Sequence, residues 1–241
     1  MILKELLQKF NYISCNENTN VEVCHITNNT KEIVEGSVYV CIEGFKTDGH
    51  GFIDEAVKKG ATAVLVTKDI KRDDVAVIRV ADTRASMAHL ASLIYGEPSK
   101  KLKMIGVTGT NGKTTVTHII KTVLEMNGKK AGLIGTNKTV IGDTVIEAER
   151  TTPESATLHK WFKDMVDAGV EYCVMEVSSH SIELKRVEGI KFDAAVFTNL
   201  THEHLDFHKT MENYMNSKAK LFERCDVAII NADDEYGRKI A

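Results

Sequence analysis

The stretch "MIGVTGTNGKTTVTHIIKTVLEMNG", Met104 to Gly128, sets the fold class. A short apolar run leads into a glycine-rich turn, and apolar residues at helical spacing follow, so the stretch reads as strand, tight turn and helix. The turn "GTNGKTT" covers Gly109, Thr110, Asn111, Gly112, Lys113, Thr114 and Thr115. Its glycines permit sharp backbone bends and let N–H groups point inward at phosphate oxygens. The helix that follows adds its positive end to the same place. Lys113 then reaches the β- and γ-phosphates of a nucleotide, and the Thr114 hydroxyl is offered to Mg²⁺. The strict phosphate-loop pattern has glycine where Val107 stands, so this is the shorter variant G-x-x-G-K-T.

Strand and helix patterns alternate on both sides of this loop. Upstream, residues 2–10 place Ile2, Leu3, Leu6, Leu7 and Phe10 on one helical stripe. Apolar runs at 37–42, 61–66 and 75–80 read as strands, and 51–60 and 83–96 as helices, the latter capped by Asp82 or Thr83. The polar, proline-bearing "GEPSKKLK" at 96–103 marks a boundary. Downstream, strands are expected at 103–108, 130–135, 171–177, 192–200 and 226–234, a hairpin at 138–147 turning at Gly142-Asp143, and helices at 113–127, 155–168 and 210–223. Near-continuous apolar strands separated by helices predict a mostly parallel sheet covered on both faces. The fold class is therefore α/β: a small α/β domain over 1–97, then a phosphate-loop domain over 98–241. The final "DDEYGRKIA" reads as the opening of a further helix, and a further domain is expected beyond it.

Composition narrows the function. A formal charge of -3 and 27% charged residues point away from nucleic acid, and no polybasic patch or long apolar run suits a membrane. Five widely spaced cysteines, at 15, 24, 41, 173 and 225, read as reduced thiols of a cytoplasmic protein.

Two more segments carry chemistry. "MEVSSHS" (175–181) ends a buried strand with Glu176 and three hydroxyls, where sheets of this class bind ligands. Glu176 suits Mg²⁺, a hard cation. "TNLTHEHLDFH" (198–208) follows the next strand and clusters His202, His204 and His208 with two carboxylates. The spacing is not that of the zinc motif H-E-x-x-H, and a metal, phosphate or structural role stays open for these histidines.

These segments, with "TTPES", "RVEGIKFDAAVFTNLTHEHLDFH" and "SKAKLF", resemble the Mur ligases of peptidoglycan synthesis, in one order and over nearly the whole chain. The resemblance implies an N-terminal domain that binds a UDP-sugar, a central ATP-binding domain, and a third domain that recognises the incoming amino acid. It implies that ATP phosphorylates the D-glutamate carboxylate of UDP-N-acetylmuramoyl-L-alanyl-D-glutamate, and that the amine of meso-diaminopimelate or L-lysine attacks the acyl phosphate. By resemblance Thr114, Glu176, His204 and Lys218 serve two Mg²⁺ ions. Lys218 is the lysine carbamylated by CO₂, although composition alone reads it as a surface-helix lysine. Asn28, Thr47, Thr151, Thr152, Ser178 and Arg186 are the implied substrate contacts, Arg186 pairing with an anionic group, and His180 supports the loop. The implied partners are small molecules and the implied state is a monomer. A chain without the third domain is expected to bind without turnover.

Three departures bear on the substrate. Thr27-Asn28-Asn29 replaces the family's usual Asp-Ser-Arg and removes a phosphate donor. Glu203 replaces Asp, and Leu184 replaces a common Gln. Two other readings stay open: a related ligase, such as a folylpolyglutamate-type enzyme acting on another carboxylate, and a binding module without turnover.

Overall fold

Apolar runs bounded by glycines and polar turns pair into two separate sheets. The computed structural model describes residues 1–241. The chain divides into two units, Met1–Glu97 with Ser155–His159, and Pro98–Glu154 with Lys160–Ala241.

The first unit contains α1 (Leu3–Leu7), β1 (Ser14–Cys15), β2 (His25–Thr27), β3 (Ser37–Val40), α2 (Ile53–Lys58), β4 (Ala61–Val66), β5 (Ala76–Arg79) and α3 (Thr83–Ile94). Its sheet runs β1-β5-β4-β3-β2, parallel except where β1 meets β5. Alternation along the strands feeds two cores. Val38, Val40, Ala63, Leu65 and Ile78 pack with Leu3, Leu6 and Leu7 of α1 and with Met87, Leu90 and Ala91 of α3. Tyr39, Cys41, Val64, Val66 and Val77 pack on the other face with Ile53 and Ala56 of α2. Each large side chain fully removed from water contributes roughly 1.5–3 kcal/mol. Asp82 is the cap of α3, its carboxylate accepting from the N–H groups of Arg84 and Ala85 at 2.9 and 3.1 Å.

The second unit contains β6 (Lys103–Thr108), α4 (Lys113–Met126), β7 (Ala131–Ile134), β8 (Lys138–Ile141), β9 (Thr144–Glu147), the part of α5 (Ser155–Asp167) from Lys160 onward, and β10 (Tyr172–Glu176). It continues with α6 (Ser179–Glu183), β11 (Phe192–Phe197), α7 (Leu205–His208), α8 (Met211–Ala219), β12 (Cys225–Ile230) and α9 (Glu235–Ile240). Its sheet runs β12-β11-β6-β10-β7-β8-β9. The strands from β12 to β7 are parallel, and β8 and β9 add an antiparallel hairpin. Register aligns the exits of the central strands: Glu176 of β10 lies beside Val107, and Phe197 of β11 beside Thr108. The segments leaving β6, β10 and β11 therefore meet at one edge of the sheet.

Four elements differ from the sequence reading. β1 and β2, of two and three residues, are too short to show a period. The short helices α6 and α7 fall in segments for which no helix was expected. The Ser178 hydroxyl starts α6 by accepting from the Ser181 N–H at 3.1 Å. No helix is long and apolar enough to cross a membrane, and all five cysteines are free.

Candidate functional site

The glycine-rich turn joins β6 to the first residue of α4, so the first-turn N–H groups of that helix open onto the strand exits. Gly112 is the helix N-cap at φ +84, a conformation that favours glycine, and a Cβ there would meet nothing within 4 Å. The first half of the turn is tied down from behind. Thr110 N–H donates to the Asn199 carbonyl at 2.8 Å and Asn111 N–H to Asn199 Oδ1 at 3.0 Å. Thr198 Oγ1 donates to the Asn111 carbonyl at 2.7 Å, and Thr201 N–H to Thr110 Oγ1 at 3.0 Å. The N–H groups of Thr110 and Asn111 are thereby engaged at the β11 exit.

Lys113 folds back over the turn, its Nζ donating to the carbonyls of Gly109 and Thr110 at 3.0 and 2.8 Å. Burial pushes its pKa down, and the carboxylates of Glu176 and Glu203 pull against that. Glu176 ends β10 with no solvent exposure. A buried carboxylate is costly unless hydrogen-bonded. Here Oε1 accepts from Thr114 Oγ1 and Thr136 N–H, both at 2.9 Å, and Oε2 accepts from Thr136 Oγ1 at 2.9 Å. The loop hydroxyl and the strand-end carboxylate are thus in direct contact.

Lys218 is the sharpest departure from composition. It is 1% exposed, so reading it as a surface-helix lysine is wrong. Its Nζ donates to the Gly109 carbonyl at 2.8 Å and stands 4.6 Å from the centre of the Tyr214 ring. Burial, then the nearby Lys113 charge, push its pKa down to about 7, against the pull of Glu203.

His204 sits at the start of α7 with φ 56 and ψ 26, a left-handed conformation that is uncommon outside glycine. Its ring meets His180 edge-on at 4.9 Å and Tyr214 at 5.9 Å, and Nε2 lies 3.8 Å from a Glu203 oxygen. His180 also packs on Phe207 at 4.3 Å, and burial lowers its pKa. His208 is buried, with Nε2 at 2.9 Å from Ser179 Oγ, and burial followed by the His180 charge holds it at about 4.

The implied substrate residues separate into two kinds. Thr151 Oγ1 lies 3.1 Å from Thr136 Oγ1, beside the Glu176 carboxylate. Thr152 has no exposed surface: its hydroxyl donates to the Glu176 carbonyl at 2.9 Å and accepts from Ser178 N–H at 3.2 Å. The Arg186 fork, expected to meet an anionic ligand, is engaged within the protein. It donates to the Thr152 carbonyl at 3.0 Å and pairs with Glu154 Oε1 at 2.8 Å. Thr152 and Arg186 are thus held by protein partners, and Ser178 caps α6. In the first unit, Asn28 follows β2 in a bend where Glu32 takes the Thr27 hydroxyl at 2.7 Å and the Asn29 amide at 3.1 Å. Thr47 is exposed in a turn closed by Gly44 N–H on its carbonyl at 2.9 Å.

Sequence reasoning missed Thr136, Asn199 and Tyr214. The available signals were position, Thr136 following β7 and Asn199 following β11, and spacing. Tyr214, Ser217, Lys218 and Leu221 follow the i, i+3, i+4, i+7 pattern and are all at most 2% exposed.

Residues 107–241 match the family model described as the Mur ligase middle domain, and residues 22–95 the model described as the Mur ligase family, catalytic domain. The chain is 54% identical over 241 residues to UDP-N-acetylmuramoyl-L-alanyl-D-glutamate--2,6-diaminopimelate ligase of Clostridium perfringens, all of this chain covering 50% of that protein. The protein of the same name from Clostridium tetani is 50% identical over 244 residues, with 100% and 50% covered. The chain spans about half the length of the curated relatives it matches. A solved structure of a UDP-N-acetylmuramoyl-L-alanyl-D-glutamate--2,6-diaminopimelate ligase superposes with TM-score 0.84 at 24% identity, over 100% of this chain and 49% of that one. MurF from Acinetobacter baumannii follows with TM-score 0.72 at 18% identity, over 99% and 50%. At these identities the structural likeness speaks for the fold.

Proposed function

The chain belongs to the Mur ligase family, and from that premise we propose that it supplies the nucleotide- and substrate-binding half of an ATP-dependent amide ligase of peptidoglycan synthesis. The substrate in this reading is UDP-N-acetylmuramoyl-L-alanyl-D-glutamate, and the names of the relatives favour 2,6-diaminopimelate over lysine as the amino acid added. The reading is of a monomeric cytoplasmic enzyme acting on small molecules.

The observation that carries it is the contact of Thr114 Oγ1 with the buried Glu176 carboxylate, next to Lys113 at the mouth of α4. Oxygen donors of this kind fit Mg²⁺, and the open space at Gly112 fits a phosphate chain. Thr114, Glu176 and His204 would hold the metal, with Lys218 joining them once carbamylated. Two bound Mg²⁺ ions would neutralise charge across the γ-phosphate and the substrate carboxylate. Lys113 orients the β- and γ-phosphates so that a carboxylate oxygen attacks the γ-phosphorus in line and ADP departs. The amine of the amino acid then attacks the acyl carbon, phosphate leaves and the amine loses a proton. Lys218 supports the carbamate reading by its burial and by a polar contact limited to a backbone carbonyl, with no carboxylate on Nζ.

Calorimetric titration of this chain with UDP-N-acetylmuramoyl-L-alanyl-D-glutamate, against UDP-N-acetylmuramate, tests the substrate. Tighter binding of the dipeptide form is expected. Equal affinity for the two, or none for either by the folded chain, would contradict the reading.

A further inference from the structure

Tyr214 touches the phosphate loop, the buried lysine and the histidine cluster together. It is 1% exposed, on the same face of α8 as Lys218, one turn before it. Its hydroxyl lies 3.2 Å from Thr110 Oγ1, the same oxygen that accepts the Thr201 N–H. One face of its ring carries Lys218 Nζ at 4.6 Å. The His208 ring stacks on it at 4.8 Å with planes 23° apart, and His208 is itself fixed by Ser179 Oγ at 2.9 Å. A rigid aromatic ring held this way has one position, and it transmits that position to whatever touches it.

We infer that Tyr214 is a positioning residue: its hydroxyl sets the phosphate loop through Thr110, and its ring sets Lys218 against that loop. This rests on the nucleotide reading above. Lys113 donates to the Thr110 carbonyl, so a loop that shifts at Thr110 also shifts the lysine that meets the phosphates. The inference assigns no proton transfer to Tyr214.

The test is a double-mutant cycle in the 241-residue chain, read by calorimetric titration with Mg²⁺ and a non-hydrolysable ATP analogue. Tyr214→Phe keeps the ring and removes the hydroxyl, and should weaken binding about five- to tenfold, the effect of one buried hydrogen bond. Thr110→Val should weaken it at least as much. The double variant should bind no worse than Thr110→Val, because both substitutions break one link. Tyr214→Leu, which also removes the ring beneath Lys218, should cost more than Tyr214→Phe. Multiplying effects in the cycle, or wild-type affinity in Tyr214→Phe, would overturn the inference while leaving the nucleotide reading intact. A wild-type chain that binds no nucleotide would overturn both.

Discussion

Lys113 and Lys218 converge on one oxygen atom. The carbonyl of Gly109 accepts from Lys113 Nζ at 3.0 Å and from Lys218 Nζ at 2.8 Å. Burial pushes each lysine's pKa down, and at Lys218 the nearby Lys113 charge adds to that. An anion entering between them would relieve that repulsion. In the proposed reading, phosphate or carboxylate oxygens would fill that place.

Replacing Lys113 by Met keeps the apolar stem and deletes the charge. Loss of a charge-assisted bond to phosphate is expected to weaken the ATP analogue on the order of 100-fold. Competition with a fluorescent nucleotide measures it, and unchanged affinity would remove Lys113 from the site.

Gly109→Ala tests the close packing of the loop on β11. A Cβ at Gly109 would stand 1.9 Å from Thr198 Oγ1 and 3.0 Å from the Asn199 carbonyl, on backbone at φ +142. Strain and overpacking together should cost about 3 kcal/mol, read as a lower urea midpoint.

His208 should leave a signature in the pH dependence of stability. Burial holds the folded imidazole at about 4, below its ordinary value near 6.5. Between those values the unfolded chain binds a proton that the folded chain does not, so stability is full above the ordinary value and falls as pH drops towards 4. Asp206 and Glu183, together with His180, His204 and Lys218, surround the cluster and set the background for this trend. His208→Gln, whose amide can still reach Ser179, should lose that part of the slope. Thermal melts of both proteins between pH 7 and 4 provide the comparison, and parallel curves would sink the assignment.

Much of the fold was legible because its elements announce themselves locally. Ala61–Val66 is an apolar run interrupted only by Thr62 and bounded by Gly60 and Thr67, and it became β4 with those bounds. Gly142 supplies the positive φ, 55°, that the predicted hairpin turn requires. The site was legible only where one segment holds it, as in the turn from Gly109 to Thr115. Asn199 and Tyr214 reach that turn from 88 and 104 residues away, a distance no local pattern spans. Lys218 was misread because composition places lysine outside. Its burial follows from sharing a helix face with Tyr214 and Ser217, a pattern visible in the sequence and outweighed there by residue type.

The central claim is that a metal-dependent nucleotide site is built from the α4 mouth and the Glu176 carboxylate. Titrating this chain with the ATP analogue, once with Mg²⁺ and once with Mg²⁺ chelated, tests it most directly, with Glu176→Gln beside the wild type. The account predicts that wild-type affinity falls at least about tenfold on chelation, and that Glu176→Gln binds equally weakly in both conditions. Wild-type binding that is indifferent to Mg²⁺, or a Glu176→Gln chain that keeps the full metal dependence, would contradict it.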